Sequence, residues 1–290
     1  MEFRSRRPAN PRMQALLPLL TTLLPVLYGL SAAGYARVYL AEPGVFEGTR
    51  GQSGGPLLLR AAVVAHALYL AARGFVEGHL PLASVYDFLS ATGFSLAVVY
   101  LYVETRQRIR TTGIFVIPLV FFLQVISTAY GTSAPPLNPP IKPIWFELHT
   151  LAAVFGYSAF VVSAIYGVLF LKLYRDIKGN RLSFFYARMP SLETLGRMNV
   201  TAAGAGLIFL AVAILMGAGW ARVAGVRFLA DPKTWLTVVA WMVLGFAVLA
   251  YHRLGWRGPR AVYASLAGFT TLVLSRVAVD LFFHSFHTFR

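Results

Sequence analysis

The sequence predicts an all-α fold: a polytopic bundle of about eight transmembrane helices, one integral membrane domain over residues 1–290 with residues 1–15 as a basic tail. Three observations carry this. The 290 residues are 57% hydrophobic, with a mean hydropathy of +0.64. Only 13% are charged, about half the roughly 25% of a soluble domain. Long stretches carry no charge at all, and the apolar runs are long enough to cross a hydrocarbon core, which takes roughly 20 residues per helix. Helices are the economical reading. Backbone polar groups in lipid must be satisfied internally, and these runs are too long for barrel strands.

The first run, 16–40, follows Arg4, Arg6, Arg7 and Arg12. It exceeds the apolar core of a cleaved signal, about 7–15 residues, and so reads as a retained helix. Runs 57–75, 80–103 and 113–130 follow. The proline-rich stretch "GTSAPPLNPPIKPIW" (131–145) lacks helix-forming character and leads into the fifth run, 148–172. The longest connection, 174–199, contains the turn signal Gly179-Asn180. Ser191 to Met198 within it reads as a short helix, with Glu193 early and Arg197 late as the helix dipole favours. The sixth run, 198–218, is joined by "GWARVAGVRFLADPKTW" (219–235) to the seventh, 234–252, and the eighth is 260–282.

The net charge of +15 is the kind of excess seen in nucleic-acid binders, but the positive-inside rule accounts for it more simply. With the C-terminus outside, the inner connections carry Arg37, Arg50 and Arg60; Arg106, Arg108 and Arg110; Lys172, Arg175, Lys178, Arg181, Arg188 and Arg197; and Arg253, Arg257 and Arg260. Both termini then lie outside, against the charge of the N-terminal tail. The absence of cysteine excludes disulfides, thiolate ligation and thiol redox chemistry. No internal repeat, P-loop, GxGxxG, HExxH or Ser-His-Asp signature is present.

Chemistry therefore rests on six histidines. His66 is mid-helix, where a hydrogen-bonded packing role is the plain reading. His79 and His149 open helices at the outer end, and His252 closes one at the inner end. His284 and His287 follow the last apolar run. Three apart on one helix face, these last two suit two ligands of a zinc site, but zinc usually takes four and no partner cluster stands nearby. A haem with two axial histidines needs them on opposite faces of the ring, so His284 needs a partner from another helix at the same depth. His149 is that partner by topology. His287 is then a bystander. Arg276, Asp280 and His284 share one stripe at spacings of four. Asp280 either pairs with Arg276, or accepts a hydrogen bond from His284 and fixes its tautomer, or both. In the outer loop, Trp220, Phe228 and Trp235 offer flat apolar contact, and Arg222, Arg227 and Lys233 offer cations for propionates. An interfacial aromatic belt would look alike.

These residues resemble the CcsA/HemX cytochrome c assembly family over most of the chain. "GHLPLASVYDFL" (78–89) is similar to the family's Gly-His-Phe-Pro-Leu-Ser-Asn-Leu-Tyr-Glu stretch. "LHTLAAVFGYSAFVVSAIYGVLFL" (148–171), "MPSLETLGRMN" (189–199), "DPKTWLTVVAWMVLGFAVLAYHRLGWRG" (231–258) and "HSF" (284–286) match further pieces in order. The resemblance implies a membrane protein that holds or transfers haem b and breaks no covalent bond. It implies a multi-pass protein of the bacterial cytoplasmic membrane, with His149 and His284 as axial ligands on the outer side. His252 corresponds to an intramembrane haem histidine, and His79 lies within the first matching stretch. The implied partners are a CcsB-like assembly subunit or an apocytochrome c. The tryptophan-rich centre expected before Asp-Pro-Lys is replaced by "VRFLAD". This departure points toward the HemX-like branch, a regulator or scaffold of haem biosynthesis whose partner would be a haem-synthesis enzyme. A small-molecule transporter is a third class, for which Arg276, Asp280 and Asp87 would be the intramembrane charges.

Overall fold

A computed structural model describes residues 11–41, 54–131, 144–181, 183–225, 227, 228 and 231–282. The described residues are mostly helical, and each of the eight apolar runs contains a helix. In chain order these are α1 (Pro11–Leu40), α2 (Gly54–Glu77), α3 (Val85–Gln107), a 3-10 turn (Thr111–Phe115), α4 (Ile117–Tyr130), α5 (Ile144–Lys178), the short α6 (Phe184–Arg188), α7 (Leu192–Val223), α8 (Pro232–Arg253) and α9 (Pro259–Phe282). Six of them are long and apolar enough to cross a membrane. The polytopic helical bundle is therefore as the sequence predicts.

Three boundaries differ from expectation, each for a local reason. The third crossing begins at Val85 rather than residue 80. Pro81 interrupts the run, and Ser84 caps the helix by accepting from the Asp87 N–H. The fourth run splits because residues 111–115 wind as a 3-10 turn, leaving α4 with 14 residues. The expected short helix at 191–198 is the start of α7 itself. Ser191 caps it, and Glu193 pairs with Arg197 at 2.9 Å.

The long helices alternate in direction, so α5 and α7 lie antiparallel. Phe160 packs where a methyl on Gly206 would sit, and Asn199 donates to the Ser163 carbonyl at 2.8 Å. Buried side chains make α5 the axis of the bundle: 67% of its apolar span is buried, against 17% for α1. One core cluster joins α5 to α1–α4 and α7. A second joins α5 and α7 to α8 and α9 through Ala152, Phe160, Leu210, Leu244 and Leu272.

The α1–α4 half is tied by a directional polar chain. Tyr28 O–H donates to His66 Nδ1 at 3.0 Å, and His66 Nε2–H donates to Ser90 Oγ at 2.9 Å. Ser90 donates to Gln124 Oε1 at 3.1 Å, Gln124 Nε2–H to Thr128 at 3.2 Å, and Thr128 to the Thr21 carbonyl at 3.2 Å. Every donor has an acceptor, which a buried network needs if it is to stabilise rather than cost. The plain reading of His66 as a packing residue matches this geometry.

Candidate functional site

At the end of the bundle where α5 and α8 begin and α7 ends, the helices part around a cavity of about 370 Å³. Its walls come from α3 (Phe88, Thr92), α5 (Phe146, His149, Ala153, Tyr157), α7 (Leu210, Ala213, Ile214), Phe228, and the first turns of α8 (Lys233, Thr234, Thr237). The lining is mostly apolar and aromatic with a few polar groups, the usual make-up of a ligand pocket, and the volume lies within the ordinary range of about 300–1,000 Å³.

His149 is held at this wall by packing. Its Nδ1–H donates to the Ala213 carbonyl at 2.7 Å. A carbonyl only accepts, so a ring proton sits on Nδ1; in the neutral ring the lone pair is then on Nε2, the tautomer by which histidine can ligate a metal. Gly217, one turn beyond Ala213 on α7, leaves room for the ring. A methyl there would lie 2.9 Å from Nδ1 and 3.0 Å from Cε1. Phe146, one turn before His149, has its ring centroid 5.5 Å from that of Trp220 at 64°. The N-terminus of α8 is set by Asp231, whose carboxylate accepts from the Lys233 N–H at 2.9 Å, with Pro232 in the first helical position.

The other predicted residues distribute unevenly. Trp220 touches the site through Phe146. Trp235 is 54% exposed, and Arg222 and Arg227 are exposed outside the cavity wall. Lys233 and Phe228 line it instead. His79 is at the same end, in the α2–α3 loop, donating from Nδ1 to the Leu80 carbonyl at 2.8 Å. His252 lies at the opposite end, exposed, with its ring edge-on to Tyr251 at 5.1 Å. Near it a second cavity of about 450 Å³ is lined by Phe170, Tyr174, Tyr251 and Arg257. The backbone of Asp280 is in α9, but its side chain and that of Arg276, and the whole of His284 and His287, lie outside the described residues. From Leu272, packed beside Ala152, α9 runs toward the His149 end. Among the described residues no group of three or more His, Asp or Glu is placed to hold a metal ion.

Sequence reasoning missed Gly217, Ala213 and the aromatic walls Phe88, Phe146 and Tyr157. A glycine inside an apolar helix three residues before a tryptophan is the signal that was open to it.

The family model for "Cytochrome C assembly protein" matches residues 82–287 of the chain. The chain belongs to the cytochrome c assembly family. It is similar to the cytochrome c biogenesis protein CcsA of Porphyra purpurea, 25% identical over 272 residues that cover 78% of this chain and 83% of that protein. It is likewise similar to CcsA of Guillardia theta, 24% identical over 248 residues with 79% and 82% covered. For CcsA of Chlamydomonas reinhardtii the figures are 25% over 232 residues, with 77% and 64% covered. These relatives are CcsA proteins and lend no support to the HemX-like branch suggested by the altered loop. A role in cytochrome c assembly follows from the family.

Proposed function

We propose that this protein holds haem b as cargo at the cavity beside His149 and passes it toward apocytochrome c. The observation that carries the reading is His149 itself: a ring nitrogen held by a backbone carbonyl, at the wall of an aromatic-lined cavity. The residues fit the cargo in kind. Nε2 is a suitable axial donor, Phe146, Phe228 and Tyr157 give apolar walls, and Lys233 is a cation for a propionate. His284, which follows α9 in the sequence, would supply the second axial ligand, with Asp280 to orient it, and Trp220 supports the wall through Phe146. Trp235, Arg222, Arg227 and His79 stand at the periphery of the same end, where an incoming protein partner would meet them.

The His149 end faces outward in this reading. The connections at the other end carry Arg106, Arg108, Arg110, Lys172, Arg175, Lys178, Arg253, Arg257 and Arg260, as the positive-inside rule asks of a cytoplasmic face. His252 marks a second station there, near the Tyr251–Arg257 cavity. The protein binds, orients and releases; it makes and breaks no covalent bond. A CcsB-like subunit is the expected partner in a bacterial cytoplasmic membrane.

The test is a visible spectrum of the detergent-purified protein with and without added haem. The reading expects a six-coordinate haem spectrum that is lost in the His149→Ala, His284→Ala double variant. A colourless preparation that takes up no haem overturns it. If that preparation instead captures a haem-synthesis enzyme, the HemX-like regulatory reading replaces it.

A further inference from the structure

The stretch "GHLPLASVYDF" forms the α2–α3 loop and the start of α3, and its geometry gives it a task. The loop is pinned at both ends. At α2, Gly78 adopts φ +76, a left-handed turn that side chains resist, and its N–H donates to the Gly74 carbonyl at 2.9 Å. At α3, the Asp87 N–H donates to Ser84 Oγ at 3.1 Å and the Ser84 N–H to Asp87 Oδ2 at 2.9 Å, a reciprocal cap. The other Asp87 oxygen meets Arg73 Nη1 of α2 at 2.5 Å, with the Asp87 side chain 2% exposed. Arg73 is itself fixed by Glu77 Oε1 at 2.6 Å and the Tyr69 hydroxyl at 3.1 Å. Inside the loop, His79 Nδ1–H and the Leu82 N–H both donate to the Leu80 carbonyl at 2.8 Å. A loop so constrained behaves as a rigid part.

That rigid part reaches α5. The Leu80 N–H donates to Glu147 Oε2 at 3.3 Å, and Glu147 lies in the first turn of α5, two residues before His149. The His149 ring is held from the α7 side by the Ala213 carbonyl; the start of its helix is held from the α2–α3 side by Glu147. Two supports on different elements fix where Nε2 points. A ligating group must be held to within about 0.5 Å of its working geometry.

We propose that the α2–α3 loop is a bracket that positions His149, with Glu147 as the positioning residue and the Arg73–Asp87 pair as the anchor. This rests on the reading of His149 as a haem ligand. It assigns a task to the "GHLPLASVYDF" stretch, and it separates His79, whose Nδ1 stiffens the loop, from the ligand set.

The experiment uses the full chain. Because the protein has no cysteine, a Leu80→Cys, Glu147→Cys pair supplies its sole thiols, and a short bismaleimide should join them within one chain in native membranes. Glu147→Ala should lower haem bound per protein by about tenfold, the scale of lost ligand support, and shift the ferric spectrum from low-spin toward mixed-spin. Glu147→Gln keeps an acceptor oxygen and should return both readouts to within about twofold of wild type. Arg73→Met should resemble Glu147→Ala. The bracket is overturned if no intramolecular cross-link forms, if Glu147→Ala behaves as wild type, or if Glu147→Gln is as defective as Glu147→Ala. If the Leu80→Cys, Glu147→Cys variant forms the cross-link but the wild-type protein binds no haem, the parent reading is overturned instead.

Discussion

His66 and His149 are both enclosed by helices of one bundle, yet they sit in opposite situations. His66 is fully buried, its two ring nitrogens spent on Tyr28 and Ser90 inside a chain that ends on the Thr21 carbonyl. His149 has its Nδ1 on a backbone carbonyl of another helix and stands at a cavity wall. Side-chain hydrogen bonds tie α1–α4 together around His66, whereas α5, α7 and α8, with the start of α3, leave space around His149 and line it with aromatics. A histidine that closes a side-chain network stiffens the fold; one set by the main chain at a cavity wall suits the ligand role proposed for His149.

The contrast can be broken by substitution. The largest effect is expected at Gly217. In Gly217→Ala the added methyl would stand 2.9 Å from His149 Nδ1, displacing the ring from the Ala213 carbonyl. Haem bound per protein should fall by about 10–100-fold, as loss of a ligand's supporting hydrogen bond does, with membrane expression retained. Absorbance per mole of purified protein checks this. Next comes His66→Leu, which strands the Tyr28 hydroxyl and the Ser90 partner in a buried site. Stability should drop by about 1–3 kcal/mol, read as earlier thermal unfolding in detergent, while the folded fraction binds haem as wild type does.

Lys233→Met sharpens the same comparison within the site. A half-buried cation facing a propionate is worth up to about 1 kcal/mol, so haem affinity should fall by a few-fold at most. Arg222→Ala and Arg227→Ala, outside the cavity wall, should change it less. The smallest effect is expected for Ser163→Ala, which removes one of the acceptors of Asn199 Nδ2, at 3.0 Å. Hydrogen bonds between helices in membranes average about 0.6 kcal/mol, so the unfolding midpoint should move slightly and the haem spectrum stay unchanged.

Much of this bundle is legible in the sequence, because run length and the lack of charge report directly on lipid crossing. All eight apolar runs contain a helix. Where the reading slips, a local rule outweighs hydropathy: Pro81 and the Ser84–Asp87 cap delay α3, and the 3-10 turn at 111–115 shortens α4. The position of His149 at the opening of a helix is legible too. Its seat is not, since Ala213 and Gly217 come from a helix more than sixty residues away and acquire meaning only when α5 and α7 pack. The choice of Lys233 over Arg222 and Arg227 is hidden for the same reason. All three share one loop region, and the Asp231 cap with Pro232 sets the start of the helix that brings Lys233 to the wall.

The most direct measurement is a haem titration of the detergent-solubilised protein, followed by visible absorption, for wild type, His149→Ala and His66→Leu side by side. The account predicts saturable low-spin binding in wild type, the same spectrum in the folded fraction of His66→Leu, and its loss in His149→Ala. An unchanged spectrum in His149→Ala, or loss in folded His66→Leu alone, would contradict it.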